Sequence, residues 1–132
     1  MANKGFTLLE ILFGIAILAI AITIVTLSFS KINENIALDK SVDIAILVLD
    51  EARSSALAAK SGSQYGVNIE SLQLNPLVGI RNISLSGGGT SVIFNKLTGA
   101  TSQSGSFEIY LKETSTTYKT INISTTGIIQ EK

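Results

Sequence analysis

The sequence contains no Cys, no His and no Trp, and its only Pro is Pro76. Without Cys it has neither a disulfide framework nor a thiolate metal site, and nothing in it reports a redox compartment. Without His it lacks the commonest metal ligand and general base, so no metal or cofactor is expected. No Gly-x-Ser-x-Gly elbow is present either, which leaves a hydrolase reading without a nucleophile, and the chain is not expected to be an enzyme. Charge of one sign is also missing: 10 basic and 10 acidic residues give a net charge of zero and a pI near 6.2. No basic cluster marks a nucleic-acid surface, and the terminal Gln130-Glu131-Lys132 supplies none. A chain of 132 residues holds one modest domain beside any anchor.

What the chain does have is a long apolar run. Residues 11–29 read ILFGIAILAIAITIVTLSF. At about 1.5 Å per residue they make roughly 28 Å of helix, the thickness of a bilayer's hydrocarbon core. The β-branched content does not argue for a strand, because in lipid only a helix satisfies its backbone within one segment. A buried helix of a soluble core would need the rest of this short chain to wrap it on every side. A secretory signal peptide is the other export reading, with Lys4 as the positive region, Ala19-Ile20-Ala21 as the cleavage site and Ile22 as the mature start. Orientation by flanking charge is weakly determined, since Lys4 precedes the run and Lys31 and Lys40 follow it.

Glu10 decides between these readings. No other charge occurs between residues 11 and 30, and a carboxylate at the centre of an inserted helix costs on the order of 2.5 to 3.5 kcal/mol. A signal peptide has no use for that cost. If the chain is cut between Gly5 and Phe6, the new α-amine on Phe6 lies one helical turn from Glu10 and gives the carboxylate a partner. The same carboxylate faces the positive end of the helix dipole. A helix carrying both charges can pair them with those of a neighbouring identical or related helix, which makes Glu10 a register device for packing helices.

Lys4-Gly5 followed by Phe6-Thr7-Leu8-Leu9-Glu10 resembles the processing motif of type IV pilins and of the pseudopilins of type II secretion systems. The resemblance implies cleavage after Gly5 by a prepilin peptidase, methylation of the Phe6 amine, storage in inner-membrane lipid as a single-pass protein with its head outside the cytoplasm, and extraction into a periplasmic or cell-surface filament. It implies that Glu10 neutralises the Phe6 amine of an adjacent subunit, and that the partners are other pilin or pseudopilin subunits met through the N-terminal helix. Many family members carry a Pro near the place of Leu27, where the helix kinks. This chain does not, so its helix is expected to stay continuous.

Beyond the span the helical pattern continues. Leu38, Val42, Ala45, Leu49, Ala52, Ala56 and Ala59 alternate four and three apart, one stripe that should face a sheet. Lys31 with Glu34, Lys40 with Asp43, and Asp50 with Arg53 are spaced for weak surface pairing. Asp50 and Glu51 diverge on a helix and read as a solvated face rather than an acid–base pair. The helix should end near Lys60 with Gly62 as its cap, giving a rod of roughly 80 Å. After Gly62 the composition turns to Ser, Thr, Gly and alternating runs, with strands expected near 64–70, 77–86, 90–96, 106–113, 118–125 and 128–131. Gly87-Gly88-Gly89 lacks the following Lys-Ser/Thr of a phosphate loop and reads as a hairpin turn. Asn82-Ile83-Ser84 and Asn122-Ile123-Ser124 match a glycosylation sequon but fall in expected strands, and carry no weight.

The fold class is therefore α+β: a long N-terminal helix, half transmembrane and half amphipathic, packed on a C-terminal antiparallel β-sheet head. The expected organisation is a leader over 1–5, a transmembrane and filament-core helix over 6–30, its amphipathic continuation over 31–60 and a β-rich head over 61–132. Residues 50–69, 91–100 and 121–129 resemble H-type minor pseudopilins and FimT-like minor pilins, which implies a minor structural component. The alternative is a tethered or signal-peptide-exported β-rich binding module that never polymerises. That module shares every feature except a use for Glu10 and the Gly5-Phe6 junction.

Overall fold

One helix and six strands make up the regular structure of a computed structural model that describes residues 5–58 and 65–132, apart from one short 3₁₀ turn. Helix α1 runs Leu8–Leu57 without a break. No Pro removes a ladder donor inside it, and it passes through the position of Leu27 as expected. It closes at Leu57, where Ala58 N–H donates to Ser54 O (2.9 Å) and Leu97 N–H donates to Ala56 O (3.0 Å). The expected end near Lys60, the Gly62 cap, Ala59, and Lys4 of the leader lie outside the described residues. The chain divides into two units, Met1–Glu34 and Asn35–Lys132.

In the second unit the stripe meets the sheets. Leu38, Val42, Ala45, Leu49 and Ala56 are buried, and Ala52 is half-buried against the same core. They pack with Phe94, Phe107, Ile109 and Ile121, all fully buried. Each such side chain stabilises the fold by about 1.5–3 kcal/mol relative to exposure. Ser41, also fully buried, was not legible in the apolar pattern. Its Oγ donates to Ala37 O (2.7 Å) and accepts from Asn75 N–H (3.4 Å), so it satisfies itself while tying a loop to the helix.

The strands are β1 (Tyr65–Asn68), β2 (Val78–Leu85), β3 (Ser91–Phe94), β4 (Gly105–Leu111), β5 (Tyr118–Ile123) and β6 (Ile129–Glu131). Every one falls where alternation placed it. They form two antiparallel sheets, an arrangement that spacing along the chain left open. β2-β4-β5-β6 make one antiparallel sheet, and β1-β3 make a separate antiparallel pair. β4 already has β2 on one side and β5 on the other, so no edge is left beside it for β3. Gly87, Gly88 and Gly89, all with positive φ, form the turn between β2 and β3. That turn is not a hairpin, because the strands it joins lie in different sheets.

The expected helix-surface pairs also fail. Among the described residues the ion pairs are Arg81–Glu108 (2.9 Å), Lys119–Asp39 (2.9 Å) and Lys119–Glu131 (2.7 Å). Exposed i,i+3 pairs gain only a few tenths of a kcal/mol, too little to hold two long side chains in one geometry. Lys119 instead reaches one carboxylate on α1 and one on β6, which sequence spacing cannot foresee.

Candidate assembly site at the start of the helix

The site expected at Gly5, Phe6 and Glu10 occupies the entry to α1. A Cβ placed on Gly5 would meet nothing within 4 Å, so no contact within this chain requires glycine there. Phe6 is 80% exposed. The Gly5-Phe6 junction precedes the helix, which begins at Leu8.

Thr7 sets the first turn. Its carbonyl accepts from Glu10 N–H (3.1 Å) and Ile11 N–H (3.2 Å), and its Oγ1 also accepts from Glu10 N–H (3.3 Å). Thr7 is thus the N-cap, and Thr7-Leu8-Leu9-Glu10 has the spacing of a capping box. That spacing is readable in the sequence, although the expectation for this turn rested on Glu10 alone. Only the hydroxyl half of the box is made. Glu10 is exposed, and its carboxylate pairs with no group among the described residues.

From residue 11 to residue 26 the helix is exposed at every position. Leu12, Phe13, Ile17, Leu18, Ile20 and Ile24 are among its exposed large apolar residues, and none of the most apolar stretch is buried. By length and composition it can cross a membrane. Its two threonines turn inward: Thr23 Oγ1 donates to Ala19 O (2.9 Å), and Thr26 Oγ1 to Thr23 O (2.9 Å) and Ile22 O (3.2 Å). Hydroxyls bonded to their own helix present methyl groups to the surroundings, which suits an apolar environment. A shallow groove of about 330 Å³ between Leu9, Leu12, Phe13 and Ala16 marks the surface just after Glu10.

The head offers no competing chemical centre among the described residues. No group of three or more His, Cys, Asp or Glu side chains could hold a metal there. The Arg81 guanidinium pairs with Glu108 and lies 4.8 Å from the Tyr110 ring centroid and 5.1 Å from that of Tyr118. Asn82 Nδ2 donates to the same Glu108 oxygen (2.9 Å). These contacts staple the outer face of β2, β4 and β5. Hydrogen bonds to Glu131 and Asp39 raise the pKa of Lys119.

Residues 1–26 match the family model of the prokaryotic N-terminal methylation motif. The match covers Gly5, Phe6 and Glu10 together with most of the apolar run, and ends well before the head. No curated protein and no solved structure matches the chain. The chain thus carries a prepilin-type N-terminal signal at the head of an apolar helix, a combination that fits an inner-membrane-anchored, pilin-like protein. Such a motif goes with a structural subunit rather than an enzyme.

Proposed function

We propose that the protein is a structural subunit of a type IV pilus-like filament or type II secretion pseudopilus, serving there as a minor component. On this reading a prepilin peptidase cuts between Gly5 and Phe6, the Phe6 amine is methylated, and the protein waits as a single-pass inner-membrane protein with its head outside the cytoplasm. Assembly exchanges lipid around the bare helix for the helices of other pilin or pseudopilin subunits. Glu10 then sets the stagger between helices by pairing with the Phe6 amine of a neighbour.

The observation that carries the reading is the Glu10 carboxylate, without a partner among the described residues, at the head of an exposed apolar helix and inside the matched methylation motif. A carboxylate in lipid is costly, and it is cheaper beside an opposite charge than alone. The minor role rests on the resemblance of residues 50–69, 91–100 and 121–129 to minor subunits.

The test is the intact mass and N-terminal peptide of the protein from the cells that make it. A chain starting at Phe6 and carrying one added methyl group is expected. A start at Ile22 would mean a signal peptide and a soluble exported head, and would overturn the reading. Gly5→Leu should leave the precursor uncut and confined to the membrane, since a Cβ at this position meets nothing within 4 Å and the fold itself does not demand glycine there.

A further inference from the structure

The four-stranded sheet has two open edges, β2 and β6, and their backbone groups can be counted. Lys112 N–H donates to Leu77 O (3.0 Å), so in the antiparallel ladder Leu77, Gly79 and Arg81 turn their backbone groups toward β4. Val78 and Ile80 turn theirs away. Val78 N–H is taken by Asn75 O (3.0 Å), which leaves Val78 C=O and both groups of Ile80 without a partner among the described residues. On the other edge, Ser124 N–H donates to Ile128 O and Lys132 N–H to Thr120 O, both at 2.9 Å. Gln130 therefore faces β5, while Ile129 and Glu131 turn their backbone groups outward, again unpartnered among the described residues.

We propose that, wherever copies of this chain adjoin, β6 of one adds to β2 of the next, so that a run of copies, short for a minor component, shares one sheet; the proposal rests on the reading that the protein polymerises. Three observations choose this occupant. First, polarity: the sheet holds an even number of strands, all antiparallel, so β2 and β6 run in opposite directions within one head. Two heads in the same orientation then meet edge to edge with antiparallel strands, as subunits drawn one after another from a membrane must. Second, register: opposing Ile80 to Ile129 and Val78 to Glu131 brings the outward groups of both edges face to face. Ile80 and Ile129 exchange two hydrogen bonds, and Glu131 N–H donates a third to Val78 O.

Third, room: beside β2 lies an open groove of about 330 Å³ whose lining mixes Leu72, Pro76 and Ile80 with Glu70, Asn75 and Lys112, which leaves space along this edge for an entering strand. The usable edge is also short. A bulge between Arg81 and Ser84, with Asn82 at φ 51, ends regular pairing on β2, and β6 is only 3 residues long. The two edges match in length. The contact is heterologous, so it propagates instead of closing into a dimer.

The absence of Cys makes the test clean. In the same register Leu77 opposes Lys132 as a non-hydrogen-bonded pair, where Cα atoms lie about 4.5 Å apart, within disulfide range. The full chain carrying Leu77→Cys and Lys132→Cys, as the sole copy in cells that assemble it, is oxidised and run without reductant. A ladder of disulfide-linked oligomers is expected, with each single variant monomeric and a mixture of the two singles yielding dimers only. Adding Ile80→Pro removes an outward N–H and leaves the β4 ladder untouched, so it should abolish the ladder while the head stays protease-resistant.

Maturation at Phe6 and filament yield are read on the same samples. Matured, assembled protein without the ladder overturns the joined sheet and leaves the filament reading standing. Dimers from Leu77→Cys alone, or a ladder unaffected by Ile80→Pro, also overturn it. Failure to mature at Phe6, together with no ladder, overturns both.

Discussion

Two stretches of the same helix follow opposite rules. Between Leu8 and Glu34, α1 is apolar on nearly every side, and its described side chains are almost all exposed. Between Ala37 and Ala56 it buries one stripe and leaves mostly charged and polar residues off it, with Ile44 and Leu47 as exposed apolar exceptions. A helix covered by its own chain needs a single apolar face, whereas one apolar all round needs surroundings that its own chain does not provide. The difference teaches that the second stretch is explained by this chain's fold, whereas the first has the length and composition of a membrane span.

The sharpest break in that comparison is at Glu10. Glu10→Ala removes a polar cost from the first stretch, so membrane insertion should persist while incorporation into filaments falls at least tenfold. Immunoblots of sheared filaments against the membrane fraction would read this, and normal filament yield would remove Glu10 from any role in stagger.

Next in size is a matched pair of leucines. Leu49 is fully buried and Leu18 is 62% exposed. Leu49→Ala should destabilise the head by about 2–5 kcal/mol. Leu18→Ala should change head stability by less than about 0.5 kcal/mol. Denaturant unfolding of the full chain in detergent, followed through the head tyrosines, compares them directly. Equal losses would mean that the first stretch is also part of the folded core.

A smaller effect is expected from Ser41→Ala, which strands Asn75 N–H at the helix surface. A loss of about 0.5–1.5 kcal/mol in the same assay is the expected result, because the bond it removes is long and the group it leaves is near water. Smallest is Lys119→Met, at no more than about 1 kcal/mol for a partly exposed pair and less as salt rises. Because the pKa of Lys119 is raised from its ordinary 10.5, its contribution is fully present below that value and disappears as pH climbs through the raised one. Stability of the wild type relative to Lys119→Met should therefore be flat for the Lys119 contribution across neutral pH and converge only in strong alkali.

Much of this was legible because it is local. Alternation located all six strands, four-three spacing located the buried stripe, and the lack of Pro made the helix continuous. Glu10 stood out because hydrocarbon makes a lone charge expensive. The capping spacing of Thr7 to Glu10 was legible too, though overlooked. The buried Ser41 was not, since a hydroxyl that bonds its own helix looks like any surface serine in sequence.

By itself, the sequence determined the class of the molecule: an apolar helix with a processing motif at its start, followed by short strands, since periodicity and charge placement act over a few residues. Only the tertiary structure decided which strands are neighbours. It split the head into a four-stranded sheet and a separate pair, sent Lys119 to Asp39 and Glu131 in place of any helix-surface pair, and left β2 and β6 as open edges. Those outcomes depend on which edge is already occupied and which side chains meet across distant segments, and spacing along the chain does not encode either.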